Sequence, residues 1–208
     1  PNVVGQNVPI WSKELVDEWI VDCRKGWISG SYGYVEGRMA LLAFQQMALH
    51  GQHLVIFGSE RPWLEACALA AGVANITTIE YSSVVSHHPA IEVITPMEAG
   101  RRREAGTLPL FDAVASFSSL EHSGLGRYGD ELNPWGDIMA VGQAWCISKA
   151  GALMLLAMPV SGNDLVEWNA GREYGCVMYP HLVANWEQVW RAPGGHQVVH
   201  IFRSLKTQ

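Results

Sequence analysis

Five short apolar runs, followed by two alternating runs set close together, constrain this chain more than any motif it contains. The five are His53–Phe57, Ile76–Ile79, Ile91–Thr95, Ala113–Phe117 and Ala152–Met158. Runs that are apolar throughout predict strands covered on both faces, which is how parallel sheets are buried. Helical spacing over Pro62–Ala71, closed by Gly72, and over Asp137–Lys149, stopped before Gly151, supplies crossovers between them. The last two runs, Trp186–Trp190 and Gln197–Arg203, alternate, and only Arg191–His196 joins them. That link is too short for a parallel crossover, so the pair must be antiparallel. The predicted class is α/β: a parallel sheet, helices on both faces, and a C-terminal antiparallel hairpin.

Ahead of the first strand, apolar residues recur at helical spacing over Trp11–Cys23 and again over Glu36–His50, with Gly51 as the expected stop. Gly26, Gly30 and Gly33 interrupt between them, within GWISGSYGY. The expected organisation is an N-terminal helical extension, residues 1–52, and an α/β domain, residues 53–208. With 208 residues, 49% of them apolar, the chain suffices for one large domain with an added element. No apolar run approaches the ~20 residues that cross a bilayer, and no cleavable signal pattern precedes the fold. The chain starts at Pro1 and not Met, which leaves open a natural N-terminus, signal or anchor ahead of it.

A net charge of -6 argues against a nucleic-acid partner, which usually requires a basic footprint. The one basic cluster, Arg101-Arg102-Arg103, has Glu98 and Glu104 on its flanks and reads as a solvated loop face, with an anion-binding spot as the alternative. Cys23, Cys67, Cys146 and Cys176 lack metal spacing, and Cys67 and Cys146 fall on apolar helical faces. Reduced, buried thiols are the favoured state, and with them a reducing compartment such as the cytoplasm. His87, His88, His181, His196 and His200 share no ligand spacing, so no metal is assigned.

The first strand ends in VIFGSERPW, with a single glycine, Gly58, where a pyrophosphate-binding loop would carry several. Pro62 suits a first helical turn. Glu80 ends the second strand about 20 residues on, the place for a carboxylate that accepts ribose hydroxyls. A pyrophosphate disfavours a neighbour such as Glu60, whereas a nucleoside without phosphates, such as S-adenosylmethionine, makes no such demand. Spacing alone leaves a second possibility open: Gly58 as a plain tight turn and Glu80 as a solvated strand end.

FDAVASFSSLEH (Phe111–His122), the turn KAGAL at Lys149 and the strand ending at Pro159 resemble the later motifs of class I S-adenosylmethionine-dependent methyltransferases. GLGRYGDELNPWGD, VIFGSERPWLEA and TTIEY are similar to the domain of unknown function 268 family, itself methyltransferase-like, over roughly Val55–Arg203. The resemblance implies a Rossmann-like class I methyltransferase fold with strand order 3-2-1-4-5-7-6, and S-adenosylmethionine as cofactor. It carries the cofactor loop onto Gly58, with Ser59 and Glu60 beside it, and the ribose acid onto Glu80. It places Ser116 and Ser118 under the methionine end. Two departures stand out: one loop glycine instead of three, and Ala150 in place of a proline after Lys149.

Methyl transfer from a sulfonium needs donor and acceptor held in line with water excluded, and high-pKa acceptors also gain from a base. His122 is the expected base and Glu121 the residue that orients it; the alternative is that both stabilise the turn. The glycine-rich segment 124–137 lies where open α/β sheets bind ligands, so Arg127, Tyr128, Asp130 and Asp137 are expected on the substrate side. For Asp137 a helix-starting role is the alternative. Asn169 and Arg172, with Tyr174, form a second polar cluster expected to meet that loop across the cleft, or else to pin a long connection. The expected function is methyl transfer to a small-molecule or glycan-like acceptor. A degenerate binding or scaffolding module is the alternative, and a nicotinamide-dependent oxidoreductase ranks third for want of phosphate-cradling glycines.

Overall fold

The computed structural model describes residues 8–28 and 31–207. Seven strands build the central sheet: β1 (His53–Phe57), β2 (Asn75–Ile79), β3 (Ile91–Ile94), β4 (Phe111–Phe117), β5 (Ser148–Met158), β6 (Trp186–Gly194) and β7 (Gln197–Ser204). Across the sheet they run β6-β7-β5-β4-β1-β2-β3, the expected order. β1 to β5 are mutually parallel. β7 enters antiparallel beside β5, and β6 pairs antiparallel with β7.

The continuous apolar runs follow from cover on both faces. Leu54 and Ile56 of β1 point into one core with Val16, Cys23, Phe44, Met47 and Leu64. These come from α1 (Lys13–Lys25), α2 (Tyr34–Met47) and α3 (Trp63–Ala70). Val55 and Phe57 point the other way, toward Ala99, Val141, Ala144 and Leu182. Those lie on α4 (Pro96–Glu104), α5 (Gly136–Ile147) and α6 (Met178–Leu182). Helices α1, α2 and α3 together therefore cover this face of the sheet. Ile10–Trp11 also pairs in parallel with Val85–Ser86, tying the segment before α1 to the segment after β2.

Four local expectations need correction. Residues 96–104 are helical and not loop, begun by Thr95, which accepts the Glu98 N–H, and by Pro96 in the first turn. Arg101, Arg102 and Arg103 lie on its last turn, where they suit the helix dipole. Arg102 pairs with Glu98 at 2.9 Å and Glu92 at 2.8 Å. Second, α2 stops at Met47, short of His50, because Ala48 takes the left-handed conformation (φ 51°). Third, α5 ends at Ile147, and Ser148–Gly151 belong to β5. Fourth, β6 continues through Pro193, so only Gly195 and His196 form the hairpin turn. Pro193 is tolerated because β6 is an edge strand. The thiols also differ from expectation: Cys23 and Cys67 are buried, but Cys146 is half-buried and Cys176 exposed.

Register aligns the strand tips. Phe57 pairs with Ile79 on one side and Ser116 on the other, so Gly58, Glu80 and Ser118 emerge along one edge of the sheet. Among the described residues no helix is long and apolar enough to cross a membrane. Nor does any group of three His, Cys, Asp or Glu side chains there come together as a metal site.

Candidate active site

A cavity of about 820 Å³ opens at the C-terminal tips of the parallel strands. That volume falls within the roughly 300–1,000 Å³ of small-molecule sites. Gly58, Ser59, Glu60, Glu80 and Ser118 line it, as do Tyr128 and Asp130 from the glycine-rich segment. Ser116 does not: it is fully buried, and its hydroxyl donates to the Phe57 carbonyl at 3.2 Å, stitching β4 to β1.

On the first wall, Glu80 holds the loop after β1. Its Oε2 accepts the Ser59 N–H at 2.7 Å, and its Oε1 accepts the Ser82 N–H and hydroxyl at 2.9 Å. A carboxylate offers about four acceptor positions, so one stays free on the oxygen beside Ser59. Glu80 is only 7% exposed yet borders the cavity. Behind it, fully buried Glu65 accepts hydroxyl bonds from Ser59 (2.9 Å) and Thr78 (2.8 Å). Burial pushes the Glu65 carboxyl up to about 7.

Gly58 has φ 74°, a conformation costly to side-chain-bearing residues. A Cβ there would come within 1.8 Å of the Ser119 Oγ. The bare backbone thus admits Ser119, which itself lines the cavity.

The second wall hangs from the tip of β4. Ser118, at φ 48°, donates its hydroxyl to Glu121 at 2.7 Å and accepts the Gln197 amide at 2.9 Å. Glu121 is 2% exposed, and burial raises its carboxyl to about 7. His122 packs beneath the next connection: its Nδ1 meets the Ala170 carbonyl, so that nitrogen carries the proton and Nε2 keeps its lone pair. Nε2 lies 3.7 Å from Glu121, and burial depresses the His122 pKa, which leaves the ring neutral at pH 7. Neither Glu121 nor His122 borders the cavity; the Tyr128 ring, edge-on to His122 at 5.7 Å, stands between as a lining residue.

The polar cluster expected across the cleft separates into two parts. Arg172 is 4% exposed and donates to the carbonyls of Glu121 (3.0 Å), Ser123 (2.8 Å) and Pro134 (3.2 Å). It also lies 3.5 Å from fully buried Asp137, which accepts the Tyr174 hydroxyl at 2.9 Å. Arg172 and Asp137 thus tie the glycine-rich loop to the following connection from behind and do not border the cavity. Arg127 and Asn169 are exposed and joined by one bond, from the guanidinium to the Asn169 carbonyl at 3.3 Å; they too lie outside the lining. Asp130 lines the cavity, but its carboxylate accepts backbone N–H groups of Gly124, Gly126 and Tyr128, shaping the loop.

Sequence reasoning missed several lining residues: Tyr32, Trp63, Tyr81, Met97 and Arg103. Tyr32 packs against Trp63 and Phe117 at centroid distances of 6.3 and 5.5 Å, and its hydroxyl donates to the Ser118 carbonyl at 3.2 Å. Its only sequence signal was the glycine punctuation around it.

The sheet order, the reversed β7 and a cavity at the parallel tips make this the class I methyltransferase fold. It is shared with solved structures. One is the Burkholderia thailandensis 1,6-didemethyltoxoflavin-N1-methyltransferase, with S-adenosylhomocysteine bound (TM-score 0.56, 14% identity, 97% of this chain and 94% of that one). Another is an O-methyltransferase from Bacillus cereus, also with S-adenosylhomocysteine (0.56, 10%, 98% and 94%). A third is the N-methyltransferase NodS from Bradyrhizobium japonicum (0.55, 10%, 81% and 96%). No curated protein sequence matches the chain. Residues 51–199 match the family described as Caenorhabditis protein of unknown function, DUF268, and the chain belongs to that family.

Proposed function

We propose that this protein is an S-adenosylmethionine-dependent methyltransferase acting on a small-molecule acceptor. The observation that carries the proposal is the cavity itself, with Glu80 at the tip of β2 keeping one acceptor position free beside the Ser59 loop. A ribose hydroxyl fits that position. Tyr81, Met97 and Leu108 offer an apolar slot on the same side for an adenine ring. The charge of the lining fits as well. Among the described lining residues Glu60, Glu80, Asp130 and Glu131 face a single cationic side chain, Arg103. S-adenosylmethionine carries a net positive charge and suits such a lining, while the pyrophosphate of a dinucleotide would be repelled.

When bound, the cofactor supplies a methyl group activated on sulfur. The chain's own contribution is placement and dryness: Gly58, Ser59, Glu60 and Ser118 border the space beside β1 and β4, and Tyr32, Trp63 and Phe117 wall it with aromatic surface. Tyr128 and Asp130 border the acceptor's side. His122 is the base we assign, with its free Nε2 reached past Tyr128 and Glu121 beside it; Arg127 and Asn169 contribute at the exposed face, and Asp137 and Arg172 by holding the loop. An acceptor with a glycan-like hydroxyl would draw on that base, since hydroxyl protons leave only as the bond forms.

Titration calorimetry with S-adenosylhomocysteine tests the cofactor assignment. Saturable binding is expected, and an absence of heat up to millimolar ligand overturns it. Glu80→Ala should weaken that binding by roughly 1–3 kcal/mol, the worth of hydrogen bonds to a charged group. Unchanged affinity would place the ribose elsewhere.

A further inference from the structure

Cys23 of α1 and Cys67 of α3 face each other in the core between these helices, their sulfurs 2.9 Å apart and both side chains fully buried. Both are free thiols in contact in this structure, and a disulfide of about 2.05 Å needs roughly 0.9 Å of further approach. The two cysteines come from segments far apart in the chain, so only the fold brings them together. Cys146 is half-buried and Cys176 exposed, and neither has a thiol partner among the described residues.

We propose that Cys23 and Cys67 are joined by a structural disulfide that clamps the N-terminal helix to the sheet domain. Each thiol gives up its hydrogen; the two electrons and two protons pass to a disulfide donor, which is reduced to two thiols as the Cys23–Cys67 bond forms. The exchange takes place while the chain folds. Once α1 is docked, both sulfurs are sealed from solvent, and burial pushes the Cys67 thiol up, away from the reactive thiolate. The bond is therefore a fixture and not a switch. It implies folding in an oxidising environment, the reverse of the reduced thiols expected from sequence.

The clamp has a consequence for the cavity. The chain between Cys23 and Cys67 carries Tyr32, which walls the cavity and bonds to Ser118. Closing that loop covalently restricts the unfolded chain and fixes the start of the segment that holds Tyr32 in place. None of this depends on which ligand the cavity takes.

The test is thiol counting on the full chain, refolded in a glutathione redox buffer, then denatured and alkylated without reductant. Two labels are expected, mapping to Cys146 and Cys176, with an intact mass lower than the reduced chain by two hydrogens. Four labels, or a linkage involving Cys146 or Cys176, overturn the proposal. A second measurement needs no variant: adding reductant during unfolding should lower the thermal midpoint by roughly 5–15 °C. An unchanged midpoint counts against the clamp. In Cys23→Ala/Cys67→Ala the reductant should shift nothing, and a shift that persists overturns the assignment to this pair.

Discussion

The two walls of the cavity each bury a glutamate whose carboxyl is pushed up to about 7, yet they treat it differently. On the first wall both oxygens of Glu65 receive a hydroxyl, from Ser59 and Thr78. On the second, Glu121 receives one hydroxyl at Oε1, while its Oε2, the Gln197 Oε1 and the Asp137 Oδ1 are buried with no partner among the described residues. Desolvation is the leading cause of both pKa shifts, so burial alone does not tell the walls apart. The hydrogen-bond inventory does. A fully bonded carboxyl is a footing for the Ser59–Glu80 loop, whereas unpartnered acceptors leave the second wall dependent on whatever donors hold it from behind.

Breaking that dependence should give the largest effect. Arg172 is the main donor behind the second wall, serving three carbonyls and lying against Asp137. Arg172→Met keeps the volume but leaves the Asp137 charge and the carbonyls unpaired. The expected loss is about 3–5 kcal/mol in urea unfolding, the cost of orphaning a buried charge. A loss under about 1 kcal/mol would mean the second wall stands without it, and the contrast between the walls fails.

A pH series sharpens the same contrast. Both glutamates have a folded-state pKa raised to about 7 from the ordinary 4.5 of the unfolded chain. Between those values the folded chain keeps protons that the unfolded chain has released. The stability each group contributes is thus full below about pH 4.5 and is lost as pH rises through about 7, by roughly 3 kcal/mol per group. Glu65→Gln and Glu121→Gln should each flatten the decline of unfolding free energy over that window. At pH 8 Glu121→Gln should stabilise more, because it removes a buried carboxylate bonded at one oxygen only, while at Glu65 two hydroxyls already bond the carboxylate. Equal gains at both sites would show that bonding partners make no difference.

The sheet was legible because its strands are covered twice: Leu54 and Ile56 face one helical layer and Val55 and Phe57 the other, which yields the continuous apolar run. Helix α4 was not, since it buries only Ala99 and most of its remaining side chains are charged. Its start signals, Thr95 and Pro96, are followed by a basic triplet flanked by acids, a pattern that solvated loops share. Gly58, Ser59, Glu60 and Glu80 were legible as cavity residues because strand ends fix their place. Tyr32, Trp63 and Met97 were not, because packing between distant segments decides where those side chains arrive. Asp137 and Arg172 were expected on the substrate side, with a helix start and the pinning of a long connection as the alternatives; the Tyr174 hydroxyl and three carbonyls that enclose them are supplied by the fold, and no local pattern names such partners.

The smallest expected effect concerns the element that bridges to the second wall from outside it. The Tyr32 hydroxyl bonds to the Ser118 carbonyl, while its ring packs on Trp63 and Phe117. Tyr32→Phe removes the bond and keeps the ring, so it should cost about 0.5–1.5 kcal/mol. Tyr32→Ala also removes apolar cover from a partly exposed site and should cost more, with S-adenosylhomocysteine affinity falling as the wall opens. Comparing the two by thermal unfolding and by calorimetry separates the hydroxyl from the ring. If Phe and Ala weaken binding equally, the hydrogen bond alone holds the segment. If Phe changes nothing, Ser118 owes its left-handed conformation to Glu121 and Gln197, and the second wall is braced from its own side only.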